Sequence, residues 1–191
     1  MSSPRVCILD AGPLIHLDQL GGLALLCEMG KLFCPSVVAA EAEYHRPGVI
    51  GRCAGIHVVD APSVPQDLKA SVVNLHAGEL AALAWAEKFG ADVFVCDDAA
   101  ARSAADTMGL KVSGTLGVIQ HAAETGTISL EEARRILTAI PVKSTLHVKR
   151  RLLDGRLERN LVGDLPRLHF VSLDQHDAAP QRLVGDRKSV V

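Results

Sequence analysis

Aromatic side chains are scarce in this chain of 191 residues. Phe, Trp and Tyr together supply only 3% of the residues, whereas apolar residues make up 48%. The core must therefore be built from Val, Leu, Ile and Ala, a composition that is typical of an α/β domain with a buried parallel sheet. Because few rings are available to stack on bases, the sequence offers little for the specific recognition of a single-stranded nucleic acid.

The chain also lacks a dominant charge, paired-cysteine motifs and long apolar runs. Its net charge of −2 gives no general attraction to nucleic acid or to a membrane, so binding of either would need a local patch. The five cysteines are odd in number and include no C-x-x-C pair, which disfavours a disulfide framework and fits a reducing cytosol. No apolar stretch reaches the roughly 18 residues that a membrane helix needs, and the first residues lack the pattern of a signal peptide. We therefore predict a cytoplasmic protein with no membrane partner.

Short apolar runs alternate with helical patterns through about residue 115. The runs that predict strands are residues 5–9, 31–34, 56–59, 92–96 and 111–113. Strands that alternate with helices are typical of βαβ units around a parallel sheet. A further helix is predicted over residues 144–153, and residues 160–191 show no sustained period. This division predicts a domain over residues 1–140, followed by a basic helix and a C-terminal extension over residues 141–191.

Five acidic residues lie in apolar sequence contexts, where an isolated carboxylate is costly. They are Asp10, Glu41, Glu79, Asp97 and Asp98. A buried ionised carboxylate must be paired, hydrogen-bonded or bound to a metal, and the basic residues needed to pair all five do not lie beside them. A hard divalent cation takes oxygen ligands and would satisfy several carboxylates at once. The pattern therefore predicts a Mg²⁺ or Mn²⁺ site, and with it phosphoryl chemistry.

Two of these residues, Asp10 and Asp97, directly follow predicted strands. In open parallel α/β sheets, ligands bind beyond the carboxyl ends of the strands, so the two carboxylates converge if their strands are neighbours. Glu41 and Glu79 lie in the first turns of predicted helices and can face the same crevice. Two cations about 3.5–4 Å apart at such a cluster can clamp the attacking and leaving oxygens of a phosphodiester.

Each carboxylate also has an ordinary structural interpretation. Asp10, Asp97 and Asp98 can cap the helices that follow them. Glu41 can lie on a solvated helix face, and Glu79 can be a favourable charge at a helix N-terminus, worth about 0.3–1 kcal/mol. These alternatives stay open at the level of the sequence.

Two other polar residues lie near the predicted site. Arg102 lies one helical turn after Asp98 and is predicted to pair with Asp98 or Asp106 rather than to reach a substrate phosphate. His16, in the apolar run LIHLDQL, is predicted to be a packed or partly buried ring rather than a catalytic group.

A basic segment follows the predicted domain. Residues 143–159 carry six positive and two negative side chains in a chain of net charge −2. Lys143, Lys149, Arg150 and Arg151 are therefore predicted to contact nucleic-acid phosphates. The alternative is a solvated helix face, which is what most charge runs form.

The chain resembles a PIN domain in five motifs that occur in the family's order: DAGPLIHL, PSVVAAEA, HAGELAALAWA, VFVCDDAAAR and SGTLGVI. More narrowly, it is similar to the prokaryotic branch of nucleic-acid-binding PIN proteins that are related to VapC-type toxins. The resemblance runs from Val6 to Ile128, with weaker similarity through STLHVKRRLLD. Each motif alone is weak, but their order and spacing together are fairly specific.

The resemblance implies a three-layer α/β/α sandwich with a parallel central sheet. It also implies an acidic quartet that binds Mg²⁺ or Mn²⁺ and cleaves RNA. The quartet would consist of Asp10, Glu41, Glu79 and Asp97, with Asp98 beside its last member. Thr115, in the turn of SGTLGVI, would hold a metal-bound water or a substrate phosphate. An Asp usually stands in the family where this chain has Glu79, so that residue could bind directly or through water.

The residues and the resemblance together predict a metal-dependent ribonuclease. The resemblance further implies the toxin of a toxin–antitoxin pair, with a small antitoxin as partner, and a homodimer. The alternative is a catalytically inactive PIN-fold module that binds RNA or protein, its carboxylates satisfied by hydrogen bonds or by a partner's arginine. A response-regulator receiver is disfavoured because Lys111 does not lie at the strand end where a receiver needs its lysine.

Overall fold

The computed structural model describes residues 4–71 and 75–147 of the chain. In this part, five short strands alternate with eight α-helices and one 3₁₀ segment. The strands are β1 (Val6–Leu9), β2 (Lys31–Pro35), β3 (Ile56–Val59), β4 (Val93–Val95) and β5 (Lys111–Ser113). The helices are α1 (Ala11–Leu20), α2 (Ser36–His45), α3 (Val49–Arg52), α4 (Gln66–Ser71), α5 (Ala77–Phe89), α6 (Ala99–Thr107), α7 (Thr115–Glu124) and α8 (Leu130–Lys143). The 3₁₀ segment is Leu23–Met29.

All strands of the sheet run parallel, in the order β3-β2-β1-β4-β5. The chain first builds outward from β1 to β3, and then returns to add β4 and β5 on the other side of β1. Leu9 pairs with Val95 across the β1–β4 junction, and the N–H of Asp10 donates to the carbonyl of Val95 at 2.9 Å. The strand order thus changes direction between β1 and β4, where parallel α/β sheets place their ligand sites.

Helices cover both faces of the sheet, because successive residues of a strand point to opposite sides. On one side, Leu9 belongs to an apolar cluster with Leu14 of α1 and Ile119 of α7. On the other side, Phe94 belongs to a second cluster with Leu83 of α5. The predicted fold class, a three-layer α/β/α sandwich with a parallel central sheet, is confirmed.

Helix α5 is buried over most of its surface, as its nearly continuous apolar sequence predicts. It ends at Gly90, whose φ of 73° is a left-handed conformation that glycine adopts without steric cost. With 13 residues it is too short to span a bilayer. Within residues 4–71 and 75–147, no helix has the length and apolar character that a membrane crossing requires.

The predicted helix over residues 144–153 does not begin where the sequence suggested. Ser144 has an extended backbone, with φ −120° and ψ 148°, and residues 144–147 are not helical. Helix α8 instead continues through Pro141 to Lys143, so the boundary predicted at residue 140 falls inside a helix. The remainder of that predicted helix, and the extension after it, lie outside the described residues.

Candidate metal centre

Asp10 and Asp97 converge at the carboxyl ends of β1 and β4. Asp10 directly follows β1, and Asp97 lies two residues beyond the last residue of β4. Both carboxylates face Gly12 in the first turn of α1. A Cβ placed on Gly12 would lie 3.6 Å from Asp10 Oδ2 and 3.7 Å from Asp97 Oδ2. The two carboxylates therefore approach the same point beside Gly12, at the edge that the sequence predicted.

Asp10 is the least favourably placed of the carboxylates. It is only 7% exposed, and burial raises its pKa to about 6, with further upward contributions from the charges of Glu79 and Glu41. The thiol of Cys96 donates to Asp10 Oδ2 at 3.4 Å, and the N–H of Ala11 also favours the ionised form. Among the described residues no basic side chain forms an ion pair with Asp10. An added positive charge beside Asp10 would therefore relieve a real electrostatic cost.

Asp97, by contrast, is held by three hydrogen bonds. The N–H of Thr115 donates to Oδ1 at 2.8 Å and the Thr115 hydroxyl donates to Oδ2 at 2.6 Å. His16 Nδ1 lies 2.8 Å from the same Oδ2. Burial alone would raise the pKa of Asp97, but the hydrogen bonds from His16 and Thr115 outweigh it and hold the pKa below its usual value. Asp97 is therefore ionised at neutral pH.

The two glutamates approach the site from α2 and α5. Glu79 is buried in the first turn of α5, and its Oε2 accepts the N–H of His76 at 2.7 Å. Burial raises the pKa of Glu79, and the charges of Asp98 and Glu41 add to that rise. Glu41 is exposed on α2, and its Oε2 lies 3.2 Å from the position that a Cβ on Gly78 would occupy. The charges of Glu41 and Glu79 both act on Asp10, and Glu79 also serves the helix-terminal role that was its alternative.

Asp98 adopts the capping alternative rather than facing Asp10. Its Oδ1 accepts the N–H groups of Ala100 and Ala101 at 2.8 and 2.9 Å, at the start of α6. The side chain is exposed, as expected for a cap at a helix surface. Both hydrogen bonds are to Oδ1, and the role of Asp98 as a metal ligand stays a prediction. Its charge still acts on the site, since it raises the pKa of Glu79.

Thr115 lies at the start of α7 and contacts the Asp97 carboxylate. It is fully buried, and both its hydroxyl and its N–H donate to Asp97. Whether Thr115 also holds a metal-bound water or a substrate phosphate stays a prediction. The structure shows it orienting the Asp97 carboxylate from the start of α7.

Arg102 makes neither of the pairs predicted for it. Its Nη1 donates to the carbonyl oxygen of Cys96 at 3.0 Å. This contact satisfies a carbonyl at the end of β4 and brings the guanidinium close to Asp97. Gly114 makes the approach possible, because a Cβ there would lie 2.6 Å from Asp97 Oδ1 and 2.9 Å from Arg102 Nη1.

Most of the predicted phosphate-binding residues lie outside the described part of the chain. Lys143 is exposed at the end of α8, whereas Lys149, Arg150 and Arg151 are not among the described residues. Whether these side chains contact nucleic acid therefore stays a prediction.

The quartet fits a hard divalent cation in the chemistry of its donors. All four side chains present carboxylate oxygens, and the space beside Gly12 lies between two of them. As the side chains stand, no group of three or more His, Cys, Asp or Glu residues in ranges 4–71 and 75–147 is close enough together to hold an ion. The carboxylates would have to draw closer around a cation, and Glu41, which is exposed, has room to do so.

A substitution at Gly114 tests whether the close packing of Asp97, Arg102 and Cys96 around this residue contributes to the stability of the protein. Gly114→Ala is expected to destabilise the protein by roughly 1–3 kcal/mol, because its Cβ would overlap Asp97, Arg102 and the backbone of Cys96. Gly51→Ala in α3 is the matched control, since nothing lies within 4 Å of its Cβ position, and it should gain at most about 1 kcal/mol. Urea denaturation measures both effects. Equal stability of Gly114→Ala and the wild type would contradict the tight contact.

Comparison with known families identifies the class of protein that carries this site. A family model described as "PIN domain" matches residues 6–160. The chain therefore belongs to the PIN-domain family, as its motif order predicted. PIN domains are generally nucleases, which are hydrolases, and they generally use divalent metals. No curated protein matches the chain.

His16 is a partly buried ring, as predicted, but the sequence did not reveal its contact with Asp97. It is partly buried in an apolar run of α1, and its partner Asp97 lies 81 positions away in the sequence. The available signal was its position on the helix that begins at the end of β1, close to Asp10. Only the pairing of β1 with β4 reveals the contact.

Proposed function

We propose that this protein is a metal-dependent ribonuclease in which Asp10 and Asp97 are the principal ligands of Mg²⁺ or Mn²⁺. The observation that carries the proposal is the convergence of these two carboxylates beside Gly12, at the β1–β4 switch point. Glu41 and Glu79 complete the acidic quartet from α2 and α5. The buried position of Asp10, with a pKa raised to about 6 and no basic partner among the described residues, supports a cationic occupant.

The chain's own residues divide the work at the site. A bound divalent cation supplies positive charge against the negative charge that develops on the phosphodiester. Asp97, whose carboxylate Thr115 orients, would be one of the residues that hold that cation. Asp10 keeps its charge in a poorly solvated position, where electrostatic attraction is strongest. Glu41 is the exposed member of the quartet and is therefore the one placed to accept a proton from an attacking water.

RNA as the substrate, and a role as the toxin of a toxin–antitoxin pair, are supported by the resemblance of the motifs. The basic segment over residues 143–159, with six positive and two negative side chains, supports contact with a phosphate backbone. By the same resemblance, a small antitoxin protein is the proposed partner and a homodimer is the proposed assembly. A cytoplasmic location is supported by the five cysteines, all of which are free.

A second candidate function is a PIN-fold module that binds RNA or protein without cleaving it. The observation that favours it is that Asp97, Glu79 and Asp98 already accept hydrogen bonds from the protein. Carboxylates satisfied in this way do not require a metal for stability. Such a module should show no specific affinity for Mn²⁺.

The test is incubation of a mixed RNA pool with the wild-type protein in Mn²⁺, in Mg²⁺ and in a chelator, with single-stranded DNA as a parallel substrate. The proposal expects RNA cleavage that requires the metal. Absence of cleavage together with absence of Mn²⁺ binding by calorimetry would favour the binding module. Metal-dependent cleavage of DNA but not of RNA would retain a nuclease and reject the ribonuclease.

A further inference from the structure

We propose that His16 is a positioning residue that fixes the Asp97 carboxylate for metal binding. The inference rests on the proposed function, because it concerns how the metal site is held. It assigns a role to a side chain of α1 that lies in the site without belonging to the acidic quartet.

The contact is short, enclosed and long-range. His16 Nδ1 lies 2.8 Å from Asp97 Oδ2, and each side chain is 14% exposed. An ionised carboxylate can only accept hydrogen bonds, so Nδ1 carries the hydrogen in this pair. The bond joins α1, which follows β1, to the segment that follows β4. His16 therefore spans the same junction at which the two aspartates converge.

The three hydrogen bonds on Asp97 restrict how it can bind a cation. A carboxylate offers about four acceptor positions, and the N–H of Thr115, the hydroxyl of Thr115 and Nδ1 of His16 occupy three of them. Two of these bonds are to Oδ2 and one is to Oδ1, so both oxygens are held and the orientation of the carboxylate is restricted. Without His16 only the two bonds from Thr115 would hold the carboxylate, and its orientation would be less restricted. Hydrogen-bond partners of metal ligands typically change metal affinity about 10–100-fold when they are lost.

The alternative to positioning is that the contact between His16 and Asp97 only stabilises the fold. The bond could serve only to tie α1 to the sheet, where Leu14 and Leu17 already anchor the helix in the core. Loss of an anchor would lower stability but would leave the affinity of the folded protein for metal unchanged. Metal affinity measured on folded variants therefore distinguishes the two roles.

The experiment is calorimetric titration of the full chain with Mn²⁺ alone. His16→Leu removes the donor, whereas His16→Asn keeps an N–H close to the position of Nδ1. We expect His16→Leu to weaken Mn²⁺ binding at least tenfold, and His16→Asn to stay within about threefold of the wild type. His57→Asn, an exposed residue on the edge strand β3, is the control and should bind as the wild type does. At saturating Mn²⁺ the KM for RNA should be unchanged in all variants, while kcat falls only in His16→Leu.

Circular dichroism and thermal unfolding establish that each variant is folded. If His16→Leu does not fold, His16→Gln takes its place, because its longer amide donates from the position of Nε2 and should also lose Mn²⁺ affinity. Unchanged affinity in the donor-free variant, or equal losses in it and in His16→Asn, would overturn the inference alone. Absence of Mn²⁺ binding by the wild type would overturn the proposed function and this inference with it.

Discussion

Asp97→Asn is expected to lower the rate of RNA cleavage about a thousandfold while leaving the chain folded. The substitution keeps the size of the side chain but removes the negative charge that would hold the cation. A metal contributes several kcal/mol of transition-state stabilisation, and about 4 kcal/mol corresponds to a factor of roughly a thousand in rate. An amide has only one acceptor oxygen, so it cannot accept at both the Oδ1 and the Oδ2 positions, and at least one hydrogen bond that orients the side chain is lost.

The neighbouring carboxylate provides a matched control for this prediction. Asp98→Asn makes the same chemical change one residue away, at a side chain that caps α6. Asn is about as good an N-cap as Asp, so cleavage should stay within a few-fold of the wild type. Rates are compared at saturating Mn²⁺ on one RNA substrate. Equal losses in the two variants would support Asp98 as a metal ligand as well, and near-wild-type activity of Asp97→Asn would show that Asp97 is not one.

Asp10→Asn is expected to stabilise the protein at neutral pH by as much as about 3 kcal/mol in the absence of metal. The pKa of Asp10 rises from 3.8 to about 6 because of burial and the charges of Glu79 and Glu41, and each pKa unit corresponds to about 1.36 kcal/mol. Between these two pH values the folded state binds more protons than the unfolded state. Stability therefore falls as the pH rises from about 4 to 6, and the full cost is present above that range. An amide at this position does not ionise, so the variant does not lose the free energy that ionisation of the buried carboxyl costs the wild type.

Urea denaturation in a chelator, at pH 4 and at pH 8, measures this effect. The difference between Asp10→Asn and the wild type should be small at the lower pH and largest at the higher one. Asp97→Asn is the control of opposite sign, because its lowered pKa means that ionisation stabilises the fold. That variant should lose stability at pH 8. If Asp10→Asn were less stable than the wild type at pH 8, the carboxylate would not be under electrostatic strain.

Added Mn²⁺ should reverse the order of stability of the wild type and the Asp10→Asn variant. A ligand that binds only the folded state stabilises it by about 2.7 kcal/mol at a hundred times its Kd. The wild type should therefore gain stability on addition of Mn²⁺, and Asp10→Asn should not. The same carboxylate would then destabilise the metal-free protein and stabilise the metal-bound one.

The sheet and its two central aspartates could be predicted because they depend on patterns within short segments. The apolar runs before Asp10 and Asp97 mark strands, and parallel strands share one carboxyl edge. The sequence alone does not show that β1 and β4 are neighbours, so the convergence of the two aspartates could be predicted only on the assumption that they are. The structure shows that they are, through the pairing of Leu9 with Val95.

Some contacts of the site could not be predicted because they join distant segments, and others because the local pattern allowed more than one partner. His16 and Thr115 meet Asp97 across 81 and 18 positions, so neither contact has a local signal. Asp98 had two local interpretations, and only the direction of its side chain separates them. Arg102 was expected to pair with a carboxylate, but it donates to a carbonyl that the end of β4 leaves available.

The measurement that tests the central claim most directly is a double-mutant cycle of Mn²⁺ affinity over Asp10→Asn and Asp97→Asn. Calorimetry is done on the wild type, the two single variants and the double variant in one buffer near pH 8. If the two aspartates share one cation, the wild type binds, each single variant loses most of that binding, and the double variant loses little more. A wild type that does not bind Mn²⁺, or losses that add independently in the double variant, would contradict a shared metal site at the β1–β4 edge.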